Sequence, residues 1–542
     1  MPVAPSGGRS ARFAWALLAV GFCLPTLMPL GAVLHALLVP EAEVWQHLLA
    51  HVLPSAVMDT LWLLAGVGLG VVTVGVSLAG LVAMTDFPGR RFFDWALLLP
   101  LAMPGYVLAV AFLGLFDYSG TVATALRAGG IELPAFRSRG GLILVLTAAL
   151  YPYVYLVARQ AFASTGLRTL EVARSLGHAP LPAFLRAVLP LGMPWILAGT
   201  GLALMETLAD FGTVAAFNYD TLTVAIYKTW YAQFSPRGAL QVAAVLLLFV
   251  LALLMLEERG RRRMRFVTMG AAPLRRLPLT RLRWLASLWC ALVLLLAFVL
   301  PVIWLVMAGL QHLPVMGGRF WALGRNTLSL GALAALLTVA VALLIALAAH
   351  LTPSAVTRTA QRLSTLGYAF PGALLAVGLY VPMAALMATL GQAGFAVSLV
   401  HIGVPLLLLG YGVRFLAVGH APLAAGLLRL RPSMIEAARL SGAGPLRIIG
   451  RIHLPLLQSS LMTALLLVFV DVLKEMPITL MMRPFGWDTF ATRIFEFSRE
   501  GEWGMAAVPS LALMVAGLLP IWLLHRGSVA AAELRRPGIA HA

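Results

Sequence analysis

Uncharged apolar stretches recur along this chain, and charged residues gather between them. The windows 13–40, 60–85, 95–116, 140–158, 187–205, 238–256, 284–318, 326–357, 452–470 and 503–525 contain no Asp, Glu, Lys or Arg. A further window, 363–413, is punctuated by Gly391, Gln392 and Gly394 and reads as two helices. A helix needs about 20 apolar residues to cross the hydrocarbon of a bilayer, so the pattern predicts twelve spans. The first window is too long for the apolar region of a signal peptide and lacks a small-residue cleavage site, so it is expected to stay as a helix.

Composition agrees with the pattern. Of 542 residues, 61% are hydrophobic and 11% charged, with a mean hydropathy of +0.92, whereas soluble domains are about one quarter charged. The expected class is therefore an all-α, polytopic membrane protein. Its net charge of +18 could suggest a nucleic-acid partner. Basic residues, however, accumulate on the cytoplasmic side of membrane proteins, and most of the Lys and Arg fall on one side if both termini are cytoplasmic. The charge then reflects orientation in the bilayer, and no nucleic acid is expected. Cys23 and Cys290 lie within predicted spans and show no paired spacing for a metal or disulfide. His401, also within a predicted span, is read as a hydrogen-bonded core histidine ahead of a proton or ligand site.

The chain repeats itself. "LEVARSLGHAPLPAFLRAVLPL" from Leu170 returns 265 positions later as "IEAARLSGAGPLRIIGRIHLPL" from Ile435. "MPGYVLAVAFLGL" at Met103 is matched by "FPGALLAVGLYVP" at Phe370, "DTLTVAIYKTWY" at Asp220 by "DTFATRIFEFSR" at Asp488, and "DTLWL" at Asp59 by "NTLSL" at Asn326, with offsets of 267 or 268. Near-constant offsets indicate duplication and fusion. The expected organisation is two tandem six-helix units, 1–258 and 284–542. The arginine-rich stretch 259–283 would join them as a basic cytoplasmic linker anchored at the membrane surface.

The first repeat lies between the fourth and fifth spans of each unit. It reads as a short helix, a glycine stop, a second short helix and a proline opening the next span. Gly177 and Gly442 suit the left-handed position that ends a helix. Ser433 and Glu436 have capping-box spacing, which the first copy lacks because Arg168 occupies the equivalent position. Leu446, Ile449 and Ile452 alternate with Arg447 and Arg451, giving an amphipathic helix suited to a partner's groove.

This pattern resembles the cytoplasmic EAA loop of ABC importer permeases. The second copy carries Glu436, Ala437, Ala438, Gly442 and Pro455; the first keeps Glu171, Ala173, Gly177 and Pro190 but has Val172 where alanine would stand. The resemblance implies the type I importer permease fold in a bacterial inner membrane, with both termini cytoplasmic. It also implies two copies of a separate ATPase, one per loop, and a periplasmic solute-binding protein. The chain itself is not expected to be an enzyme: its only lysines, Lys228 and Lys474, do not follow a glycine as a phosphate-binding loop requires. No cofactor is expected, and no metal site is firmly assigned.

"ETLADFGTVAAF" from Glu206 and "DVLKEMPITLMMRPFGWDTFATRIFEF" from Asp471 bring the likeness closest to the fused twelve-span permeases of ferric iron importers. Fused thiamine permeases share that architecture, and importers of phosphonates, sulfate or polyamines are further alternatives. A secondary transporter of the major facilitator kind, suggested by "DFPGRR" from Asp86, lacks the glycine expected ahead of the aspartate.

Two sets of residues are candidates for contact with substrate and its carrier. Glu206 and Asp210 are four apart, as are Asp471 and Glu475, so each pair shares a helix face. Sixteen residues of helix, about 24 Å of rise, separate Glu206 from Pro190 and Asp471 from Pro455, which places the acids towards the outer face. Intramembrane carboxylates usually face a cavity, and hard oxygen donors suit a hard, highly charged cation. The competing expectation is that Lys474 neutralises a neighbouring acid while the others reach interfacial water. Tyr227, Trp230, Phe495 and Glu496, in the outer segments 220–231 and 488–499, are candidates for contact with the binding protein or for aromatic anchoring at the interface.

Overall fold

A computed structural model of the protein describes residues 9–39, 41–264, 276–278, 282–393 and 399–534. Among them, ten helices are long and apolar enough to cross a membrane, and an eleventh is formed by Ile449–Leu456 and Gln458–Leu473, bent by 63°. The last window, 503–525, is occupied by Trp503–Leu534, apolar over Trp503–Leu518. The protein is thus a multi-pass helical membrane protein, and each window has its helix. In chain order the spans are Arg9–Leu38, Ala42–Met84, Gly105–Ala128, Arg139–Ser164, Pro180–Ala209 and Pro236–Met264, then Arg283–Met316, Gly318–Leu351, Gly372–Gln392, Leu399–Leu427, the bent pair and Trp503–Leu534. The break foreseen in 363–413 falls between Gln392 and Leu399, and Gly394 lies outside the described residues. So does most of the basic linker, at 265–275 and 279–281.

Prolines decide several boundaries that hydrophobicity alone misplaces. Span 3 was expected from residue 95 but starts at Gly105, because Pro104 adopts an extended conformation at its N-cap and a proline without an N–H cannot continue a helix from the preceding turn. Pro371 repeats this before Gly372 in span 9. Elsewhere proline is absorbed without a break. Wide turns at Leu48–Val52, Phe184–Val188, Leu295–Val299 and Ile449–His453 precede Pro54, Pro190, Pro301 and Pro455. An extra residue in the turn relieves the clash with the carbonyl behind. Span 5 therefore runs through Pro190, whereas in the second half the helix bends after Leu456.

Packing crosses between the halves. Spans 1 and 6 pack on each other and both reach span 9; spans 7 and 12 pack on each other and both reach span 3. One apolar core consequently joins spans 2 to 5 with spans 7 and 12, and the other joins spans 8 to 11 with spans 1 and 6. One of these crossings is close: a Cβ added to Gly378 in span 9 would lie 2.7 Å from Cα of Pro29 in span 1. Backbone cannot yield as a flexible side chain can. Gly378→Val is expected to cost about 1–3 kcal/mol, read as a lower thermal midpoint of the detergent-solubilised protein.

Between spans 6 and 7 the linker is tied down at residues 276–278. Leu277 and Pro278 pair in parallel with Thr85 and Asp86, the only strand pairing among the described residues, and Arg276 Nε donates to the Ala83 carbonyl at 3.2 Å. Residues 276–278 of the linker are thereby held beside the exit of span 2.

Candidate functional site

Span 5 and the bent span 11 end in equivalent ways. Each runs out at a pair of acids and turns into a short helix, Gly212–Ala216 in one half and Pro477–Met482 in the other. The structure brings Glu206, Asp210, Asp471 and Glu475 into the wall of one cavity of about 330 Å³. Repeat-related positions share its lining: Leu101 and Tyr368, Ala149 and Arg414, Ala209 and Lys474. Acids come from both halves, whereas both cations come from the second.

The four acids are held differently. Asp210 caps the helix that follows it: Oδ1 accepts from the backbone N–H of Thr213 at 2.9 Å and of Val214 at 3.2 Å, while Oδ2 accepts from the Thr213 hydroxyl at 2.7 Å. Glu475 does the same for its own short helix, accepting from the N–H of Ile478 at 2.9 Å. Its other oxygen lies 3.2 Å from Nε of Arg414, and the side chains are only 5% and 13% exposed. Arg414 also donates to the Phe370 carbonyl at 3.1 Å. Asp210 and Glu475 are thus committed to local structure.

Glu206 and Asp471 are less constrained. Tyr368 and Tyr153 both stand beside the Glu206 carboxylate. Lys474 forms no close ion pair among the described residues, although Asp471 and Glu206 lie within its electrostatic reach. The Tyr106 hydroxyl donates to the Lys474 carbonyl at 3.2 Å, joining the halves across the cavity. Among the described residues, no three His, Cys, Asp or Glu side chains converge as a metal site.

Outward of this cavity lie two adjoining hollows of about 570 Å³ each, both bordered by Tyr227, Tyr231, Phe495 and Arg499. They form between the helices Leu222–Tyr231 and Phe490–Glu500. The second helix is fixed by a capping box between Thr489 and Thr492, and Asn326 donates to the Gly486 and Asp488 carbonyls ahead of it. In the first half Asp59, the counterpart of Asn326, accepts from Tyr219 at 2.9 Å and Arg139 at 3.1 Å. Phe211 borders both an outer hollow and the inner cavity. Its ring centroid is 5.3 Å from those of Tyr227 and Phe495, which are 5.6 Å from each other. These three rings partition the outer space from the inner.

The four outer candidates therefore sit in different surroundings. Tyr227 and Phe495 belong to the partition. Trp230 is buried, 4.9 Å from the ring of Tyr380, because its large apolar surface completes the core against span 9 and does not face the hollow. Glu496 is bound by Arg483 at 2.7 Å and Arg493 at 2.5 Å. Burial pushes its carboxyl up, but the two arginines prevail and hold it below the usual carboxylate range.

On the opposite end of spans 5 and 11, both repeat loops end their first helix in the same way. Gly177 has φ +89° and Gly442 φ +79°, and the N–H three residues past each helix end reaches five residues back, His178 to Ala173 and Ala443 to Ala438. This is the six-to-one closure of a Schellman motif. The expected capping box is not formed as read. The second loop's helix begins at Pro432, so Ser433 lies inside the first turn and Arg431 takes the cap position, proline being favoured at the first helical residue. Glu171, Glu436, Ala437, Pro190 and Pro455 are exposed and Ala438 partly so, while Ala173 is buried beneath its helix. Val172, Leu176, Leu181 and Leu440 are 61 to 91% exposed. Both loops therefore expose large apolar side chains.

Arg414, Tyr153, Tyr368 and the Phe211 partition were not foreseen. Arg414 had a signal: it closes the window 363–413, yet the helix continues to Leu427, and an arginine inside a span calls for a partner or a cavity. The tyrosines had none. His401 lies where side chains are not described.

A helical bundle with a charged internal cavity at one end and paired loops with uncovered apolar faces at the other defines a membrane transport permease. The chain belongs to the permease family of ABC importers. No family model matches it, but over 196 residues it is 30% identical to the molybdenum transport system permease protein ModB of Escherichia coli, covering 80% of that protein and 34% of this chain. The Fe(3+)-transport system permease protein FbpB 2 of Haemophilus influenzae is 24% identical over 476 residues, 86% of this chain and 89% of that protein. A probable sulfate transport system permease protein of Nephroselmis olivacea is 27% identical over 261 residues, 46% of this chain and 88% of that protein.

Proposed function

We propose that this permease conducts ferric iron, with Glu206 and Asp471 as the acids that meet it. The carrying observation is the oxygen-rich cavity, in which four carboxylates, Tyr153 and Tyr368 face one another against two cations. Like unit charges 4 Å apart repel by about 1 kcal/mol in water and about 4 kcal/mol at an effective dielectric of 20. A sulfate or molybdate ion would meet that repulsion, whereas a hard trivalent cation finds the donors it prefers. The likeness to an Fe(3+)-transport permease over most of both chains supports the same reading. Competitive uptake of labelled ferric iron, sulfate and molybdate by cells dependent on this permease tests it: iron is expected to enter, and uptake of an oxyanion without iron would overturn it.

In this reading the protein lies in a bacterial inner membrane with both termini cytoplasmic. A periplasmic binding protein delivers substrate to the hollows at Tyr227 and Phe495, and an ATPase copy docks on each of the two loops. Relatives that align with less than half of this chain yet cover most of their own length support its division into units 1–258 and 284–542 joined by 259–283. Docking depends on loop shape. Valine at a left-handed position costs about 1–2 kcal/mol, so Gly177→Val together with Gly442→Val is expected to reduce ATPase co-purification and uptake at least tenfold, about 1.4 kcal/mol in the docking equilibrium. Unchanged pull-down would remove the loops from the docking surface.

A further inference from the structure

The entrance to the proposed cation path presents an arginine without a carboxylate partner among the described residues. The hollow against the aromatic partition is lined by Arg137, Lys228 and Arg499 and by no carboxylate, and its neighbour adds Arg483 with Glu496 and Glu500. Most of these cations are engaged. Arg137 pairs with Asp117 at 3.3 Å, Lys228 with Asp220 at 2.5 Å, and Arg483 with Asp488 and Glu496. Arg499 has no carboxylate partner among the described residues. Its guanidinium lies 5.8 Å from the centre of the Phe495 ring and within electrostatic reach of Tyr227, so it rests on the partition. Lys474, on the inner side of the partition, is the second cation without a close ion pair.

Neither a bare cation nor a bare oxyanion fits both chambers. A naked trivalent ion would be repelled at Arg499, and a free oxyanion admitted there would next meet Glu206 and Asp471. Volumes of about 570 and 330 Å³ match the roughly 300–1,000 Å³ of sites for small organic ligands. The acids, moreover, do not converge to strip and coordinate a lone ion. A ferric chelate satisfies both chambers, because its outer chelator oxygens suit an arginine or lysine while the trivalent ion it carries offsets the repulsion that a bare oxyanion meets from the carboxylates.

We infer that the species conducted is ferric iron still bound to a small anionic oxygen chelator, of the hydroxycarboxylate or phosphate kind, with Arg499 and then Lys474 recognising the chelator. This rests on the ferric reading above and deepens it. No bond to the metal need be made or broken inside the permease. The chelator rides with the iron, and Arg499 determines which complexes enter.

The test follows two labels through the intact importer in cells. Labelled ferric iron is presented with carbon-labelled citrate and, separately, with labelled phosphate, and only the permease-dependent increment is scored. One anion is expected to enter with iron at a constant ratio. Arg499→Gln should lower entry of both labels about tenfold, within the range of charge steering, at unchanged membrane abundance, and Arg499→Lys should retain most of it. Iron entering with neither anion would overturn the inference while leaving the ferric reading intact. Sulfate or molybdate entering without iron would instead overturn the ferric reading. Normal iron uptake by Arg499→Gln would remove Arg499 from recognition.

Discussion

Residues 1–264 produced without the rest of the chain are expected to fall at least tenfold in membrane abundance, and co-production with residues 276–542 is expected to restore them. Cutting between 265 and 275 severs no contact of the described structure. Producing one half alone removes the partners of spans 1, 3 and 6, because spans 1 and 6 pack on span 9 and span 3 packs on spans 7 and 12. Lipid can cover the apolar faces so exposed, but it cannot replace the close packing that drives helix association in bilayers. The bond from the Tyr106 hydroxyl to the Lys474 carbonyl would also be lost. Abundance is read by quantitative immunoblot after membrane isolation, and reassembly by co-purification through a tag on one fragment. A lone first half that accumulates normally and resists protease would show that the exchanged helices contribute little.

Paired substitutions of the cavity acids are expected to fail in two different ways. Glu206→Gln with Asp471→Asn should leave abundance and ATPase co-purification near normal and cut ferric uptake at least tenfold, because neither acid caps a helix and both face the cavity. Asp210→Asn with Glu475→Gln should instead lower abundance. Asp210 accepts three hydrogen bonds at the head of Gly212–Ala216, and losing a cap costs about 0.5–2 kcal/mol. Glu475 neutralises Arg414 in a nearly closed setting, where removing one partner of a buried pair costs about 3–5 kcal/mol. Glu475→Gln with Arg414→Met should recover part of that loss, since it removes both charges together. If both acid pairs lowered uptake and abundance equally, the distinction between path acids and structural acids would fail.

Sequence alone carried much of the architecture. Eleven apolar windows, one of them double, announced twelve helices because a charged residue is too costly in hydrocarbon to be left unexplained, and repeat offsets placed Glu206 opposite Asp471. Gly177 and Gly442 were legible because a left-handed backbone at a helix end is a local requirement that glycine meets most easily. Local rules also misplaced some features. Pro104 moved the start of span 3 by ten residues relative to the apolar window, and Pro432 took the helix start from which Ser433 had been expected to cap. Trp230 looked like a surface aromatic, yet its neighbour Tyr380 is 150 positions away in sequence.

What the tertiary structure decided is which like residues do unlike things. Equal spacing made Glu206 and Asp210 appear equivalent, but hydrogen bonds to Thr213 and Val214 commit Asp210, and a distant Arg414 commits Glu475. The exchange of spans 1, 6, 7 and 12 between the halves, and the meeting of Phe211, Tyr227 and Phe495, are likewise absent from any short stretch of sequence. Periodicity and spacing report what a residue needs from its own helix. Burial, charge pairing and ring contacts depend on partners hundreds of positions away, and only the folded bundle brings those partners together.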